Sequence, residues 1–127
     1  MDFNAKVMFS LVYLSLDALW LGSMTEVFYR PRFENIQKTK LNFKIGYACV
    51  AYLLLLASLF FVCIPLTKQY RQNASLVFSL VGLCIYGIYN ATNAAVLSNY
   101  TLDMFLIDTL WGCVSFAFMG FVYNNLK

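Results

Sequence analysis

Two long stretches of this chain contain no charged residue, and they constrain its fold more than any other feature. One lies between Lys44 and Lys68, and the other lies between Arg71 and Asp103. Each can hold an apolar helix of about 20 residues, the length that crosses a bilayer. Only 12% of the residues are charged, against about 25% in an average soluble domain. Two membrane-spanning helices are therefore expected from these stretches alone.

Two further apolar segments lie near the two ends of the chain. The first is interrupted by Lys6 and Asp17, and the last by Asp103 and Asp108. The first is not expected to be a cleaved signal peptide, because Asp17 breaks its apolar core and no small-residue cleavage site follows. The sequence predicts one all-α domain, residues 1–127, built as a polytopic transmembrane four-helix antiparallel bundle. The helices are expected at about residues 5–24, 44–66, 73–97 and 101–123.

The predicted connections are short apart from one basic extramembrane loop at residues 25–43. Its lysines and arginines are expected to contact lipid headgroups. Because the other connections are only a few residues long, sequential helices should pack side by side. Lysine and arginine are nearly balanced between the two membrane faces, so the positive-inside rule does not choose an orientation. This balance keeps an antiparallel homodimer open as an alternative to a monomer.

The chain has four cysteines and no histidine, and this combination argues against metal and thiol chemistry. No two cysteines form a Cys-x-x-Cys pair, and each is interpreted as a buried small hydrophobic side chain. Without histidine there is no complete metal-ligand set and no Cys-His nucleophile. No metal, no cofactor and no enzymatic activity are therefore expected. The net charge of +3 contains no run of like charge that would indicate nucleic-acid binding.

The letters Asp-x-Leu-Trp occur twice, from Asp17 to Trp20 and from Asp108 to Trp111, each time inside a predicted span. A carboxyl at bilayer depth costs a few kcal/mol on insertion scales, so it should face a partner or a cavity rather than lipid. With a rise of ~1.5 Å per residue, Asp17 and Trp111 both lie ~14 Å below the loop face. Asp108 and Trp20 both lie ~9 Å below it. Since indole donates and carboxylate accepts, the sequence predicts that Trp111 donates to Asp17 and Trp20 to Asp108.

The third predicted helix carries the richest polar stripe of the four. Tyr86, Asn90 and Asn93 fall within about 100° of arc on one face of it. Asn90 is expected ~12 Å and Asn93 ~8 Å below the loop face, level with the aspartates. A polar layer in one half of the bilayer is therefore predicted. The simplest role of such side chains is to join helices, at about 0.6 kcal/mol for each interhelical hydrogen bond.

Four motifs resemble a family of small predicted membrane proteins known only as a domain of unknown function. They are Leu-Asp-Ala-Leu-Trp-Leu-Gly from Leu16, Phe-Tyr-Arg from Phe28, Tyr-Asn-Ala-Thr-Asn from Tyr89, and Asp-Thr-Leu-Trp-Gly from Asp108. The resemblance covers nearly the whole chain, implies four helices and carries no assigned activity. It marks these matching positions: Asp17, Trp20, Tyr29, Arg30, Thr92, Asn93, Asp108, Trp111 and Gly112. The family pattern has an acid where this chain has Asn90, so an activity that needs a third carboxylate is altered here.

The same resemblance bears on location, because such proteins occur in bacteria and in some large DNA viruses. It implies an integral protein of a cell membrane, or of a viral membrane if the source is such a virus. The sequence does not choose between these hosts.

Two functional hypotheses follow from the residues. The first is transport of an ion or small solute, since intramembrane acids commonly mark ion or proton pathways. In it, Asp17 and Asp108 form the polar centre, and Tyr86, Asn90 and Asn93 line the path. The alternative is a structural or scaffolding membrane protein whose acids are satisfied by the tryptophans. A lipid-modifying enzyme is a third class, against which the missing histidine and nucleophile motif count. The expected partners are bilayer lipid, a small ion or solute and, in the dimeric alternative, a second copy.

Overall fold

The computed structural model describes the whole chain, Met1 to Lys127, and contains only helices and the turns between them. Four of the helices are long and apolar enough to cross a membrane. They are α1 (Phe3–Gln37), α2 (Ile45–Tyr70), α3 (Ala74–Val96) and α4 (Leu102–Leu126). The all-α class and the four predicted spans are thus confirmed, and the bounds of α3 and α4 lie close to those predicted.

The first helix is much longer than predicted, because it continues into the segment expected to be a loop. After its first α-helical part it passes through a π-helical turn, Thr25–Tyr29, and a second α-helical part, Arg30–Gln37. It ends where Lys38 takes a left-handed backbone conformation with φ 63°. The prediction of a loop over all of residues 25–43 is therefore wrong. Most of that segment is a helical extension of α1, and only its last residues connect to α2.

Both prolines lie inside helices, and each follows a π-helical turn by the same offset. Pro31 comes two residues after the end of Thr25–Tyr29, and Pro65 two residues after the end of Leu59–Cys63. Proline lacks an N–H and its ring clashes with the preceding turn of an α-helix, whereas a π turn is wider by one residue. The wider turn accommodates the proline within the helix, and for this reason a second predicted helix end is also wrong. The helix predicted to end at residue 66, with Pro65 in its last turn, instead continues to Tyr70.

The closest helix packing is that of α3 against α4, and glycines permit it. A Cβ added to Gly82 would lie 2.3 Å from the carbonyl oxygen of Gly112. A Cβ added to Gly112 would lie 2.2 Å from Cγ of Tyr86. Small residues at a crossing let membrane helices approach closely. In a membrane, helix association is driven by van der Waals packing rather than by the hydrophobic effect. The α3–α4 pair is therefore the tightest part of the bundle, and α1 packs on α4.

The two halves of α2 differ in how they pack. The half before its π turn, Ile45–Ser58, has no buried residue, whereas Leu59 and Cys63 in the turn are completely buried. The core lies mainly in the half of the bundle away from the α1 extension, and it consists of Phe9, Tyr13, Leu59, Cys63, Ile64, Ala74, Phe78, Phe116, Met119 and Tyr123. The first half of α2 therefore stands off from the bundle and leaves a cleft beside α1 and α3.

The cysteines are all free thiols, but they do not share one environment. Cys63 is buried and Cys113 is partly buried, as expected for small hydrophobic side chains. Cys49 and Cys84 are exposed on the outside of the bundle, so the prediction that all four are buried is wrong. A thiol is apolar enough to face lipid, which explains why helix-exposed cysteines persist in a membrane span.

Candidate functional site

Asp17 is a nearly buried acid, 6% exposed, that accepts one hydrogen bond on each carboxylate oxygen. The indole Nε1 of Trp111 donates to its Oδ1 over 2.9 Å. The hydroxyl of Tyr52 donates to its Oδ2 over 2.6 Å. The predicted bond from Trp111 is thus present, and it joins α1 to α4. Tyr52 adds a tether from the half of α2 that is otherwise unburied.

Asp108 is bound in a parallel way but by different donors. The hydroxyl of Tyr29 donates to its Oδ1 over 2.7 Å, and the amide Nδ2 of Asn90 donates to its Oδ2 over 2.6 Å. Trp20 donates over 3.0 Å to the hydroxyl of Tyr29 rather than to the carboxylate. The predicted direct bond from Trp20 to Asp108 is therefore wrong. Tyr29 lies between them because α1 continues as a helix beyond residue 24 and brings its ring back over the bundle.

The two indole rings connect these arrangements. Trp20 and Trp111 stack with their centroids 4.3 Å apart and their planes 4° from parallel. An offset stack of aromatic rings contributes about 0.5–1.5 kcal/mol beyond the area it buries. The stack therefore joins α1 and α4 between the two acids, and the set of side chains around it is called the polar layer below. Its members are Asp17, Trp20, Tyr29, Tyr52, Asn90, Asp108 and Trp111.

Asn90 is completely buried, and every polar atom of its side chain is used. Its Nδ2 donates to Asp108 and also, over 2.8 Å, to the backbone carbonyl of Tyr86. Its Oδ1 accepts from the hydroxyl of Tyr100 over 2.5 Å. An amide can donate to a carboxylate, whereas an ionised acid at this position can only accept. The asparagine at this position is therefore matched to its contact with Asp108.

The remaining predicted site residues lie in different surroundings. The ring of Tyr86 fits against Gly112 and lies edge-on to Phe116, at a centroid distance of 6.4 Å. Thr92 is exposed and Asn93 is partly buried, and neither is bonded to an aspartate. Asn93 was predicted in the polar layer from its helix face, and Thr92 was added as a candidate site residue because the family motif includes it. They lie within one turn after Asn90 on α3, where the polar stripe of this helix is no longer fully buried.

Of the two residues predicted to act in the loop, Tyr29 joins the polar layer and Arg30 does not. Arg30 pairs with Glu26 over 3.0 Å at the surface of the α1 extension. Arg32, which sequence reasoning did not single out, pairs with Asp103 over 2.6 Å and lies 3.9 Å from the ring centroid of Phe28. This pair attaches the α1 extension to the start of α4. It thereby holds the segment that carries Tyr29 over the polar layer.

Two hydroxyl donors of the site, Tyr52 and Tyr100, were also missed. Tyr52 is nearly alone as a polar residue in its apolar stretch, so no stripe of polar residues points to it. Depth gives a usable signal, because Tyr52 lies about 12 Å from Lys44 along α2, close to the level estimated for Asp17. Tyr100 lies in the turn before α4, and only the structure shows that its ring folds back over Asn90.

Both aspartates line one cavity of about 710 Å³ beside the first half of α2. Its walls come from all four helices and are mostly apolar or aromatic. The lining residues are Asp17, Leu21, Phe43, Ala48, Ala51, Tyr52, Leu54, Leu55, Ile85, Tyr86, Tyr89 and Asp108. No lysine or arginine is among them, and neither aspartate forms a salt bridge. The cavity thus presents two carboxyl groups in otherwise apolar surroundings.

Comparison with known families matches residues 3–123 to the one described as "Predicted membrane protein (DUF2177)". No curated protein and no solved structure matches the chain. The match covers nearly all of the four spans and confirms the resemblance drawn from the motifs at the level of the family. The chain therefore belongs to the DUF2177 family of predicted membrane proteins.

Proposed function

We propose that this protein transports a small organic cation, which binds at Asp17 and Asp108 in the cavity beside α2. One observation carries the proposal: two carboxyl groups face the same cavity, and no basic side chain accompanies them. Intramembrane acids commonly mark ion, proton or substrate pathways. No catalytic step is part of this proposal.

The charge of the polar layer supports a positively charged solute. All four side chains that donate to the aspartates are neutral: Trp111, Tyr52, Tyr29 and Asn90. Neutral donors stabilise a carboxylate, but they leave its charge uncompensated in a medium of low dielectric constant. A bound cation or bound protons would balance that charge. If the cation displaces the protons from the carboxyl groups, solute binding is coupled to proton release.

The walls of the cavity favour an organic cation over a bare metal ion. A volume of about 710 Å³ lies in the range of pockets that hold drug-sized ligands, about 300–1,000 Å³. Tyr52, Tyr86 and Tyr89 line it, and aromatic rings attract organic cations through their faces. A small inorganic cation would instead need several oxygen ligands at short distance.

Access to the cavity is proposed to run past the first half of α2. This half has no buried residue, and its one polar bond to the bundle is that of Tyr52 to Asp17. The π turn at Leu59–Cys63 separates it from the half that packs in the core. Protonation of Asp17, or binding of a cation there, would weaken that bond and let this half of α2 move.

Calorimetric titration in detergent tests binding directly. The probe is 1-methyl-4-phenylpyridinium, a permanently charged aromatic cation, and biphenyl-4-sulfonate is the anion of similar shape. We expect saturable binding of the cation only, and we expect Asp17→Asn and Asp108→Asn each to weaken it at least tenfold. Asp2→Asn is the matched control, because it removes a carboxylate at the far end of α1 and keeps a side chain that can cap the helix. Equal binding of cation and anion, or unchanged binding in both aspartate variants, would contradict the proposal.

A scaffolding function is the second candidate, and one observation favours it. All four carboxylate oxygens already accept a hydrogen bond from the protein. If the acids only join helices, the aspartate variants should lower stability while the wild-type protein binds neither probe. The same titration, accompanied by thermal unfolding of each variant, separates the two candidates.

A further inference from the structure

We propose that a groove at the opposite membrane face binds a phospholipid with an anionic headgroup. The groove lies between the first turns of α1 and the last turns of α2, and its volume is about 720 Å³. It is lined by Met1, Phe3, Lys6, Val7, Ser10, Leu11, Phe60, Phe61, Ile64, Pro65, Lys68 and Tyr123, and it is called the lysine groove below. It shares no residue with the cavity at the aspartates, so the two proposals are independent.

Positive charge is concentrated at one end of the lysine groove. Lys6 on α1 and Lys68 on α2 belong to facing walls, and neither forms a salt bridge. Lys127 lies close by, with its Nζ 5.7 Å from the ring centroid of Tyr123. No acid lines the groove, and the carboxylate of Asp2 is occupied in capping α1, where it accepts from the backbone N–H of Ala5 over 2.8 Å. The end of the groove at the membrane surface is therefore complementary to a phosphate-bearing anion.

Both walls change from charged to apolar in the same direction. On α1, Met1 and Phe3 precede Lys6 at the end of the helix, and Lys6 is followed toward the bilayer centre by Val7 and Leu11. On α2, which runs the other way, Lys68 is preceded by Ile64 and Phe60. This is the order of a phospholipid, with the headgroup at the surface and acyl chains below it. Basic pockets between membrane helices are a known type of site for anionic lipid headgroups.

Lysines at the ends of spans often reach the surface simply to stay hydrated, and this behaviour needs no bound lipid. Arg71 distinguishes the two cases. It lies at the same face at the end of α2, where φ is 52°, but it does not line the groove. If the groove selects the lipid, the two lysines should matter and Arg71 should not. If the face merely carries diffuse positive charge, all three should contribute equally.

Native mass spectrometry tests the proposal on the purified protein in detergent. The protein is mixed with equal amounts of phosphatidylglycerol and phosphatidylcholine that carry the same acyl chains. We expect the one-lipid complex to be enriched in phosphatidylglycerol. The enrichment should fall by roughly fivefold for each lysine removed in K6Q, K68Q and the double variant. The charge-retaining K6R/K68R variant and R71Q should keep the wild-type preference.

Two results would overturn the proposal. One is equal retention of the two lipids by the wild-type protein. The other is a loss in R71Q as large as the loss in K68Q, which would assign the preference to the charge of the face. All of these substitutions replace exposed or partly exposed side chains, and thermal unfolding of each variant verifies that the fold is retained. A failure here leaves the proposal for the aspartate cavity intact.

Discussion

The indole rings of Trp20 and Trp111 lie face to face, 4.3 Å apart, yet their N–H groups serve different acceptors. The N–H of Trp111 reaches Asp17 directly, and that of Trp20 ends on the hydroxyl of Tyr29. One stack thus contributes to both halves of the polar layer. The half at Asp17 is a direct contact, and the half at Asp108 is a relay through a tyrosine from the α1 extension.

Trp111→Phe should destabilise the protein by about 1–3 kcal/mol, because it removes a donor from a buried carboxylate. Its effect should be non-additive with that of Asp17→Ala, which removes the acceptor, with a coupling of about 0.5–3 kcal/mol, because the two residues are in contact. The free energy of unfolding in mixed micelles measures both. Combining Trp111→Phe with Asp2→Asn gives the reference cycle, since those residues are at different depths and should be additive. Additivity with Asp17→Ala would refute the direct contact.

The relay at Asp108 predicts a specific order of coupling energies. Tyr29→Phe removes the bond to Asp108 and also the acceptor of Trp20, so it should cost more stability than Trp20→Phe. Trp20→Phe should couple strongly with Tyr29→Phe and only weakly with Asp108→Ala, which removes both carboxylate acceptors. The same unfolding assay gives these cycles. A coupling between Trp20 and Asp108 as large as that between Tyr29 and Asp108 would contradict the relay. It would indicate the direct bond that was expected from the sequence.

Asn90→Asp should make stability depend on pH more steeply than Asn90→Ala does. The new carboxyl would face Asp108 at hydrogen-bond distance, and two adjacent acids cannot both ionise there. As the pH rises, the unfolded chain releases both protons while the folded pair keeps one. The folded state then binds more protons, so the free energy of unfolding falls with rising pH.

Thermal unfolding between pH 5 and 8 checks the Asn90→Asp prediction. Asn90→Ala is the control, because it loses the same amide bonds without adding an acid. An Asn90→Asp midpoint that follows the pH profile of Asn90→Ala would show that position 90 does not face Asp108.

Gly82→Ala should be destabilising, although alanine favours helices. Its Cβ would lie 2.3 Å from a backbone oxygen of α4, which cannot move aside as a flexible side chain can. Overpacking of this kind costs about 1–3 kcal/mol. Gly22→Ala is the matched control, since nothing lies within 4 Å of its Cβ and it should be neutral or stabilising. Similar unfolding midpoints for the two variants would mean that α3 and α4 are not so close.

Part of the candidate site follows from the sequence by arithmetic. A fixed rise per residue and antiparallel helix directions place Asp17 and Trp111 at one depth, and the bond between them is present. The same arithmetic placed Asn90 near the aspartates, where it binds Asp108. Features that repeat with the period of a regular helix can be predicted well from a sequence.

The rest depends on irregular geometry and on tertiary contacts. The sequence predicted that the first helix ends at residue 24, but a π-helical turn carries the helix onward. Only this extension brings Tyr29 to Asp108, with Arg32 and Asp103 holding it in place. Tyr52 was missed for a different reason, because the residues three and four positions from it in α2 are alanine, cysteine and leucine and form no polar stripe with it.

Flux through proteoliposomes tests the central claim most directly, namely that Asp17 and Asp108 form the cation site of a transporter. Purified protein is reconstituted, and uptake of labelled 1-methyl-4-phenylpyridinium is followed under an imposed proton gradient. We predict saturable uptake above that of protein-free vesicles, retained in Asp2→Asn and reduced to the protein-free level in Asp17→Asn and in Asp108→Asn. Wild-type uptake equal to that of protein-free vesicles, or undiminished uptake in both aspartate variants, would contradict the account.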